Sequence, residues 1–545
     1  MTDDSEREVF TRVLDALLRE DHLGLHSRGG PDGPGWWVVA HPAGLLRIPV
    51  RADGFQQAIR SAAPALHLVD PGGTTRRTDT LDGLLALLRP RGDAEAEAGW
   101  RVFTAECRAD LRARRLAAGA RARVLAGVVA ERTGAGATGT GLPAALLDDV
   151  LAAYAGHPVY PTDRCRHGLD DEDLRRYAPE HLPRFALRWY PAPAGSVRLT
   201  GCLPPWWPPA PGPDQVLIPV HPLTARRYAL DVTELPVVPV RPTLSMRTVA
   251  LADDPYTHLK LPLPTATLGA ANRRTLHPDT LADGAAVAGL LDRIAAGEPA
   301  FAGRVRHADE GTYGHVDGDE RRGFLLRRFP RDLAGVRVVP VAALAAPDPV
   351  AGTVLQRLSP GPPEALLMSY LDLLLDWHVF LWLRHGVALE AHPQNIHLLV
   401  DPDGTVGLLY KDNDGARLDG RHRVAGGPAL RDNRMWVADP RELADVFVTI
   451  TLHLAAAAPL LALAARGVRV PSPAAALAPR LAAARDRWGD GPAARLLTER
   501  VLRAARLPVK AMLTAGTLLP KQRLGCADVN KYYRRTGPNY LRETP

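Results

Sequence analysis

Residues 388–415, in the last third of the chain, read ALEAHPQNIHLLVDPDGTVGLLYKDNDG. Two apolar runs, NIHLLV and TVGLLY, flank DPDG, whose residues favour a tight turn, so the pattern predicts a β-hairpin. The preceding segment, EALLMSYLDLLLDWHVFLWLRHGV at 364–387, has the length and composition of a long, largely buried helix. The sequence therefore predicts a helix, a polar loop and a hairpin in succession.

Polar side chains collect on both sides of this hairpin. They are Glu390, His392, Gln394 and Asn395 before the first strand, and Asp412 and Asp414 after the second. A hairpin returns its second strand to the start of its first, so the two groups come together. Carboxylate and amide oxygens suit Mg²⁺ bound to a nucleotide, and the histidines lack the HExxH spacing of a zinc helix. The alternative is a polar loop without function, but so many polar groups in an apolar segment favour a site.

Two earlier segments place cations beside hydroxyls. In PTLSMRTVAL, residues 242–251, a strand would put Ser245 and Arg247 on one face, with Thr248 next. In THLKLPLPTATLGAANRRTLHP, residues 257–278, Lys260 leads a predicted strand that ends near Thr267. A hydroxyl, a guanidinium fork and a lysine point charge together suit phosphate or carboxylate. Each segment, taken alone, fits an ordinary strand end followed by basic surface residues as well as it fits a binding site. In the second segment these basic residues are Arg273 and Arg274.

A fourth segment, AGHPVYPTDRCRHGLDDEDLRRYAPE at 155–180, is rich in turns. It contains His157, Tyr160, Arg164, Arg166 and His167. By itself it reads as a solvated loop whose shape is fixed by proline. Its interest comes from its order relative to the other three segments.

The composition limits the classes of protein to consider. The 545 residues are 46% hydrophobic and 23% charged, which excludes disorder, collagen and coiled coil for most of the chain. The four cysteines form no CxxC pair, so a reducing compartment and a cytoplasmic location are expected. A net charge of +7, spread along the chain, is no nucleic-acid footprint. The N-terminus lacks an apolar signal region, and the uncharged stretch 446–465 is expected to be a buried core helix rather than a membrane span.

The pattern of elements predicts an α+β protein in three parts. Residues 1–145 read as mostly helical, and within them EREVFTRVLDALLRE, residues 6–20, has apolar residues at helical spacing. Residues 146–345 read as β-rich, and 346–545 as helix-rich with the hairpin inside.

Taken in order, the segments resemble the IucA/IucC family, the NRPS-independent siderophore synthetases typified by aerobactin synthetases. The stretches that carry the resemblance run from about residue 155 to 515 and read GHPVYPTDRCRHG, LIPVHP, SMRT, HLKLPLPTATLGAANRR, EAHPQN, YKDND and LPVKAML. The resemblance implies a hand-like architecture, in which the three parts are a helical thumb, β-rich fingers and a helix-rich palm, with ATP in the cleft between fingers and palm. It also implies a homodimer.

The resemblance implies site residues as well. For ATP they are Ser245, Arg247, Thr248, Lys260, Arg164, Gln394, Asn395 and Asp412. For the carboxylate substrate they are Thr267, Arg273 and His392, and for Mg²⁺ they are Asp412, Glu390 and Asp414. Arg247 and Lys260 are expected to stabilise the charge of the reacting phosphates, and His157 or His392 to accept a proton. Lys510 matches a late lysine of the family, with no role derived.

This sequence departs from the family pattern at several positions. Tyr160 replaces the second histidine of GHPxHP, Arg164 replaces a lysine, and Lys411 stands where the family usually has arginine. The turn TLGAANRR differs from the commoner T-S-x-x-R form, which leaves the choice between Arg273 and Arg274 open.

The expected activity is ligation that consumes ATP. The enzyme would adenylate citrate, or an acid derived from citrate or a dicarboxylate, and condense it with an amine or hydroxyl nucleophile. Two alternatives stay open. One is a kinase-like phosphotransferase, although the chain lacks an HRDxxxxN loop. The other is a non-catalytic relative that binds a carboxylate or ATP.

Overall fold

A computed structural model describes residues 3–134, 139–234, 236–422, 429–526 and 531–542. The chain opens with helix α1 (Asp4–Arg19), which buries an apolar stripe that recurs at helical spacing. At its start, the Asp3 carboxylate accepts the N–H of Glu6 at 2.8 Å and serves as the N-cap. The sequence prediction of an amphipathic helix here is confirmed.

A small antiparallel sheet and two helices follow. The strands are β1 (Gly30–Pro31), β2 (Trp36–His41), β3 (Gly44–Ala52), β4 (Ile59–Ser61), β5 (Leu66–Val69) and β6 (Thr75–Thr78), and the helices are α2 (Leu81–Leu87) and α3 (Ala94–Thr133). Helix α3 is 40 residues long and serves two cores. Its first half packs Trp100 and Phe103 against α1 and the sheet, and its second half packs Val124 and Val128 into the large C-terminal core.

The middle of the chain contains helices and the strands of the largest sheet. The helices of this part are α4 (Gly141–Ala155), α5 (Asp171–Tyr177), α6 (Pro222–Arg227) and α7 (Pro278–Gly297). Its strands are β7 (Phe185–Ala186), β8 (Arg188–Pro193), β9 (Val197–Thr200), β10 (Gln215–Val220), β11 (Pro239–Pro242), β12 (Thr248–Leu251), β13 (Thr257–Lys260), β14 (Val305–His307), β15 (Asp309–Val316) and β16 (Gly323–Arg328). Seven of the described strands form one antiparallel sheet in the order β7-β11-β12-β13-β16-β15-β9.

The C-terminal part contains the predicted helix and hairpin. The strands are β17 (Arg337–Pro340), β18 (Pro347–Asp348), β19 (Gly352–Thr353), β20 (Val387–Ala388), β21 (Ile396–Val400), β22 (Val406–Tyr410), β23 (Arg417–Asp419), β24 (Trp436–Val437), β25 (Arg506–Lys510) and β26 (Tyr533–Pro538). The helices are α8 (Val354–Leu358), α9 (Pro363–His385), α10 (Arg441–Val446), α11 (Ala458–Ala465), α12 (Pro473–Trp488), α13 (Pro492–Leu497) and α14 (Lys521–Leu524), with π-helical segments at Phe447–Ala457, Thr498–Leu502 and Thr514–Leu518.

Helix α9 and the β21–β22 hairpin confirm the prediction for residues 364–410. The hairpin belongs to a four-stranded sheet in the order β14-β22-β21-β17. This sheet takes β14 and β17 from before residue 345 and the hairpin from after it. The mixed helix and sheet class is confirmed, while the three-part hand and the boundaries at 145/146 and 345/346 stay predictions.

Two helical stretches are long and apolar enough to cross a membrane. They are Pro363–His385 and Arg441–Ala465, and 72% and 89% of their most apolar windows is buried inside the protein. Within the described residues, they therefore have the burial expected of core helices.

Candidate active site

Strand pairing brings two cations, Lys260 and Arg327, to one region of the large sheet. On β13, Lys260 lies opposite Leu325 of β16, and His258 lies opposite Arg327. Residues two apart on a strand share a face, so the side chains of Lys260 and Arg327 lie on the same face. Lys260 is the last residue of β13. The expectation that Lys260 begins a strand reaching Thr267 is therefore wrong, because Pro262 and Pro264 follow it and cannot donate ladder hydrogen bonds.

Two residues that follow the hairpin, Asp412 and Asp414, place their carboxylates beside Lys260. Asp412 follows β22 in the left-handed conformation, with φ of 59°. Its Oδ1 accepts hydrogen bonds from Lys260 Nζ at 2.7 Å and from Arg327 Nη2 at 2.6 Å. Asp414 Oδ2 lies 3.2 Å from the same Lys260 Nζ. Glu310 completes the group, because its Oε1 accepts Arg327 Nε at 2.6 Å and the backbone N–H of Asp412 at 3.0 Å.

We call these five residues, Lys260, Glu310, Arg327, Asp412 and Asp414, the paired cluster. Burial raises the pKa of the Asp412 carboxyl, but Arg327 and Lys260 outweigh burial and hold that pKa well below its usual range. Asp412 is therefore ionised at neutral pH. The charges of Lys260, Arg327 and their carboxylate partners thus compensate each other within the protein.

Two further arginines lie near the paired cluster without a carboxylate of their own. Arg247 Nη1 donates to the backbone oxygen of Thr275 at 2.8 Å, and Arg274 donates to the hydroxyl and backbone oxygen of Thr267. Neither guanidinium has an acidic side chain within 4.0 Å in the part of the chain that the structure describes. We call Arg247 and Arg274 the open arginines.

The open arginines lie near each other, because Arg247 Nη1 contacts the backbone oxygen of Thr275, the residue that follows Arg274. Burial lowers the pKa of the Arg274 guanidinium to about 9, and repulsion from Arg247 and Arg166 adds to the effect. Burial also lowers the pKa of Arg247. Cations in such surroundings are stabilised by an anion, so the pair forms a site prepared for a phosphate or carboxylate.

The structure distinguishes the two consecutive arginines of the TLGAANRR turn. Arg273 is exposed, whereas Arg274 is half-buried and bonded to Thr267. The sequence-based choice of Arg273 as the substrate residue thus falls on a surface side chain, and its neighbour lies in the site. The sequence could not resolve this, because the conformation of the turn, with Leu268 at φ of 56°, decides which side chain points inward.

Ser245 and Arg247 lie in a tight turn rather than on a strand. Strand β12 begins only at Thr248, and Met246 has φ of 63°, a conformation that extended strands do not contain. The expectation that strand alternation places Ser245 and Arg247 on one face is therefore wrong. Instead, Ser245 Oγ accepts the N–H of Thr248 at 3.2 Å, and this bond shapes the turn that presents Arg247.

His157 has a defined hydrogen-bonding role. Its Nδ1 accepts the backbone N–H groups of Val159 and Tyr160 at 3.2 Å and 2.9 Å, so the neutral ring carries its proton on Nε2. Burial lowers the pKa of His157 to about 3. At neutral pH His157 is thus a hydrogen-bond donor at Nε2, which does not fit the expected proton acceptor.

His392 lies in the polar loop before the hairpin. Burial lowers the pKa of His392 to about 4, while Glu390 and Asp412 act in the opposite direction. The loop is folded by its own backbone, since the N–H of Asn395 donates to the oxygen of His392 at 2.8 Å. Asn395 is buried and Gln394 is half-buried.

Arg164 and Glu390 take partners outside the paired cluster. Arg164 Nη2 donates to the backbone oxygen of Tyr154 at 2.8 Å, and its guanidinium lies 5.7 Å from the centre of the Tyr154 ring. Glu390 Oε1 lies 3.4 Å from Lys510 Nζ. Lys531 and Lys510 outweigh the effect of burial and hold the pKa of Glu390 below its usual range.

These positions limit the possible magnesium ligands. Among the described residues, no group of three or more His, Cys, Asp or Glu side chains could hold a metal ion. The expected set of Asp412, Glu390 and Asp414 is therefore not brought together, but Asp412 and Asp414 both reach one cation, Lys260 Nζ. Mg²⁺ commonly takes one or two carboxylates together with substrate phosphates, so this pair fits it.

Sequence reasoning missed Arg327 and Glu310. Arg327 lies in the run GFLLRRFP, where two arginines end a buried strand. Strand alternation allows only one of the two to face the core, and that pattern could have indicated a buried arginine in need of a carboxylate.

Models of two protein families match parts of the chain. The model of the IucA / IucC family matches residues 151–205 and 209–346. These residues include Lys260 at the end of β13 and Arg327 on β16. A model described as ferric iron reductase FhuF-like transporter matches residues 364–524, which include the hairpin. Residues 151–205 and 209–346 are therefore similar to the IucA/IucC family, the family that the sequence motifs resemble.

A curated relative is similar to part of the chain. Staphyloferrin A synthase from Staphylococcus aureus (strain NCTC 8325 / PS 47) is 26% identical over 324 residues, which cover 50% of this chain and 53% of that protein. The chain thus spans about half the length of this curated relative.

Two solved structures share the fold. Petrobactin biosynthesis protein AsbB from Bacillus anthracis str. Sterne superimposes with a TM-score of 0.74 at 15% identity, covering 98% of this chain and 95% of that chain. ATP-bound aerobactin synthetase IucA from Klebsiella pneumoniae superimposes with a TM-score of 0.67 at 18% identity, covering 98% and 99%.

Proposed function

We propose that this protein is an ATP-dependent siderophore synthetase that adenylates a carboxylate and transfers the acyl group to an amine or hydroxyl. The observation that carries the proposal is the pair of open arginines beside the paired cluster. Adenylation requires a site that holds two anions together, a triphosphate and a carboxylate. The named relatives, a staphyloferrin A synthase and an ATP-bound aerobactin synthetase, support the same class of reaction.

The triphosphate end of the site is assigned to Arg247, Lys260, Ser245 and Thr248. Arg247 offers a guanidinium fork without a carboxylate, and Lys260 supplies a compact positive charge at the end of β13. Mg²⁺ held by Asp412 and Asp414 would neutralise phosphate charge. In this assignment ATP lies in the cleft between the fingers and the palm, since Lys260 comes from the former and Asp412 from the latter.

The acid end is assigned to Arg274, Thr267 and His157. Arg274 can bind a carboxylate through two parallel N–H groups, and Thr267 already orients it. The Nε2–H of His157 adds a neutral donor. We therefore assign Arg274, rather than Arg273, to the carboxylate substrate.

The proposed chemistry has two steps. In the first, a carboxylate oxygen attacks the α-phosphorus of ATP, the bond to the bridging oxygen breaks, and pyrophosphate leaves. In the second, the amine or hydroxyl attacks the acyl carbon and AMP leaves with the electron pair. Arg247 and Lys260 offset the repulsion between the two reacting anions. His392 accepts the nucleophile's proton, because bound phosphates raise the pKa of an adjacent imidazole.

The nature of the products separates this reaction from its alternatives. The experiment incubates the protein with ATP, Mg²⁺ and a panel of acids that includes citrate and succinyl-amines, with hydroxylamine as the acceptor. The proposal predicts acid-dependent formation of AMP, pyrophosphate and a hydroxamate. Formation of ADP would instead show a phosphotransferase, and ATP binding without any turnover would show a non-catalytic relative.

A further inference from the structure

The buried carboxylate of Glu106, on the long helix α3, contacts Thr517 and His167, two residues that hold the 265–274 turn on which Arg274 lies. Glu106 is 1% exposed and lies in the first half of α3. Its oxygens accept hydrogen bonds from the hydroxyls of Tyr160 at 2.8 Å, Thr162 at 2.5 Å and Thr517 at 2.9 Å. The Nε2 atom of His167 lies 3.4 Å from Glu106 Oε2. A single carboxylate thus joins α3, the 157–167 loop and the π-helical segment Thr514–Leu518.

Two of these partners also hold the turn that carries Arg274. The Thr517 hydroxyl accepts the N–H of Ala270 at 3.2 Å. The backbone N–H of His167 donates to the oxygen of Ala266 at 3.2 Å, and the Thr265 hydroxyl donates to the oxygen of His167 at 2.8 Å. The turn is therefore held on one side through Thr517 and on the other through His167, and both residues contact Glu106.

The segment Thr514–Leu518 also approaches the turn very closely. A Cβ atom built on Gly269, which has φ of +114°, would lie 2.9 Å from Gly516 Cα. The N–H of Ala271 donates to the oxygen of Gly516 at 2.9 Å. A contact between two glycine backbones leaves no room for the turn to move toward the segment, so a shift of Thr517 is transmitted to the turn.

We propose that Glu106 is a positioning residue that fixes the 265–274 turn through Thr517 and His167, and thereby sets the affinity for the carboxylate substrate. The proposal rests on the assignment of Arg274 to that substrate. Tyr160, the departure from the GHPxHP pattern, belongs to the same network and supplies one of its hydroxyls. The unusual Tyr160 and the unusual TLGAANRR turn are thus connected through Glu106 and Thr517.

The chain offers a matched control within the same π-helical segment. Thr514 also donates its hydroxyl to a buried carboxylate, Glu20, at 2.8 Å, but within the described residues no hydrogen bond joins it to the 265–274 turn. Thr517→Val and Thr514→Val each remove one such bond. A loss of stability alone affects both variants, whereas a loss of positioning affects only Thr517→Val.

The test measures the KM for the acid and the KM for ATP in the pyrophosphate-release assay, together with amide hydrogen exchange of Ala270 and Ala271. We expect Thr517→Val to raise the acid KM roughly tenfold with little change in the ATP KM, as for a lost binding interaction. Exchange at Ala270 and Ala271 should accelerate. Thr517→Ser should restore both readouts, Thr514→Val should change neither, and Glu106→Gln should behave as Thr517→Val does.

An unchanged acid KM in Thr517→Val, while the wild type is active, would overturn the positioning role and leave the proposed function standing. Equal effects of Thr517→Val and Thr514→Val on the acid KM would also overturn it, since they would show a general loss of structure. Absence of acid-dependent pyrophosphate release in the wild type is a different result, which removes the proposed function and the role of Glu106 with it.

Discussion

The paired cluster and the open arginines lie side by side but differ in how their charges are balanced. In the paired cluster, Lys260 and Arg327 bind carboxylates at 2.6–2.7 Å, and the group is complete without a ligand. Among the residues that the structure describes, Arg247 and Arg274 donate only to neutral oxygens. A buried cation with its own carboxylate holds the site together in the absence of a ligand, while a cation without one is available to an anionic ligand. Lys260 has both roles in the proposed function, because it binds Asp412 and is also assigned to the triphosphate.

The largest expected effect is on stability, at Arg327. Arg327→Met leaves Glu310 and Asp412 as buried carboxylates with one partner fewer, so the free energy of unfolding should fall by about 3–5 kcal/mol. Urea unfolding measures it. Arg328→Met is the matched control, because Arg328 is partly exposed and pairs with Asp309 at the surface, where such pairs contribute about 0–1 kcal/mol. Equal losses in the two variants would contradict the scaffold role of the paired cluster.

The next effect is on catalysis, at Arg247. Arg247→Ala removes a cation assigned to the triphosphate, so kcat for pyrophosphate release should fall about 10²–10³-fold. The free energy of unfolding should change little, because no carboxylate loses a partner. Steady-state kinetics and urea unfolding on the same preparation check both statements. A stability loss as large as that of Arg327→Met would show that Arg247 belongs to the scaffold instead.

A smaller effect is expected at the acid end of the site. Arg274→Ala should raise the KM for the acid roughly 10–100-fold, since charge-assisted hydrogen bonds contribute about 1.5–3 kcal/mol. The neighbouring Arg273→Ala provides the control, because Arg273 is exposed. Kinetics with varied acid at saturating ATP measure the effect. The reverse order, with Arg273→Ala the more damaging change, would return the substrate role to the residue first chosen from sequence.

The smallest effect concerns pH and His392. Burial lowers the pKa of His392 to about 4 in the folded protein, while an unfolded histidine titrates near 6.5. The unfolded chain binds more protons between these values, so the contribution of His392 to stability is complete above pH 6.5 and is lost as pH falls through 4. Between pH 7 and 4.5, the wild type should lose roughly 2 kcal/mol more of its unfolding free energy than His392→Asn does. Parallel pH profiles of urea unfolding would contradict this.

The sequence predicted the elements with strong periodicity. Helices α1 and α9 and the β21–β22 hairpin were read from apolar spacing and the DPDG turn, and the structure contains them. These elements depend on local patterns that a single sequence records. The contact between Lys260 and Asp412 does not, since its expectation came from the family resemblance.

The rest depended on conformations and contacts that periodicity does not record. Met246, Leu268 and Asp412 all have positive φ, although glycine is the residue that usually adopts it. Tertiary packing imposes these turns, and they decide that Arg274 points inward and that Arg247 lies off the strand. Likewise, Arg327 and Glu310 meet only because β15 and β16 pair. Their register, which shifts between Asp309 and Thr312, is not recorded by apolar spacing.

Acid-dependent exchange of labelled pyrophosphate into ATP, with no nucleophile added, tests directly whether this protein forms an acyl-adenylate. Exchange reports reversible adenylate formation alone, so it isolates the step for which the open arginines are proposed. We predict exchange in the wild type with at least one citrate-like or dicarboxylate acid, little exchange in Arg247→Ala, and in Arg274→Ala a recovery only at higher acid concentration. ATP consumption with ADP as the product, and no exchange with any acid, would contradict the account.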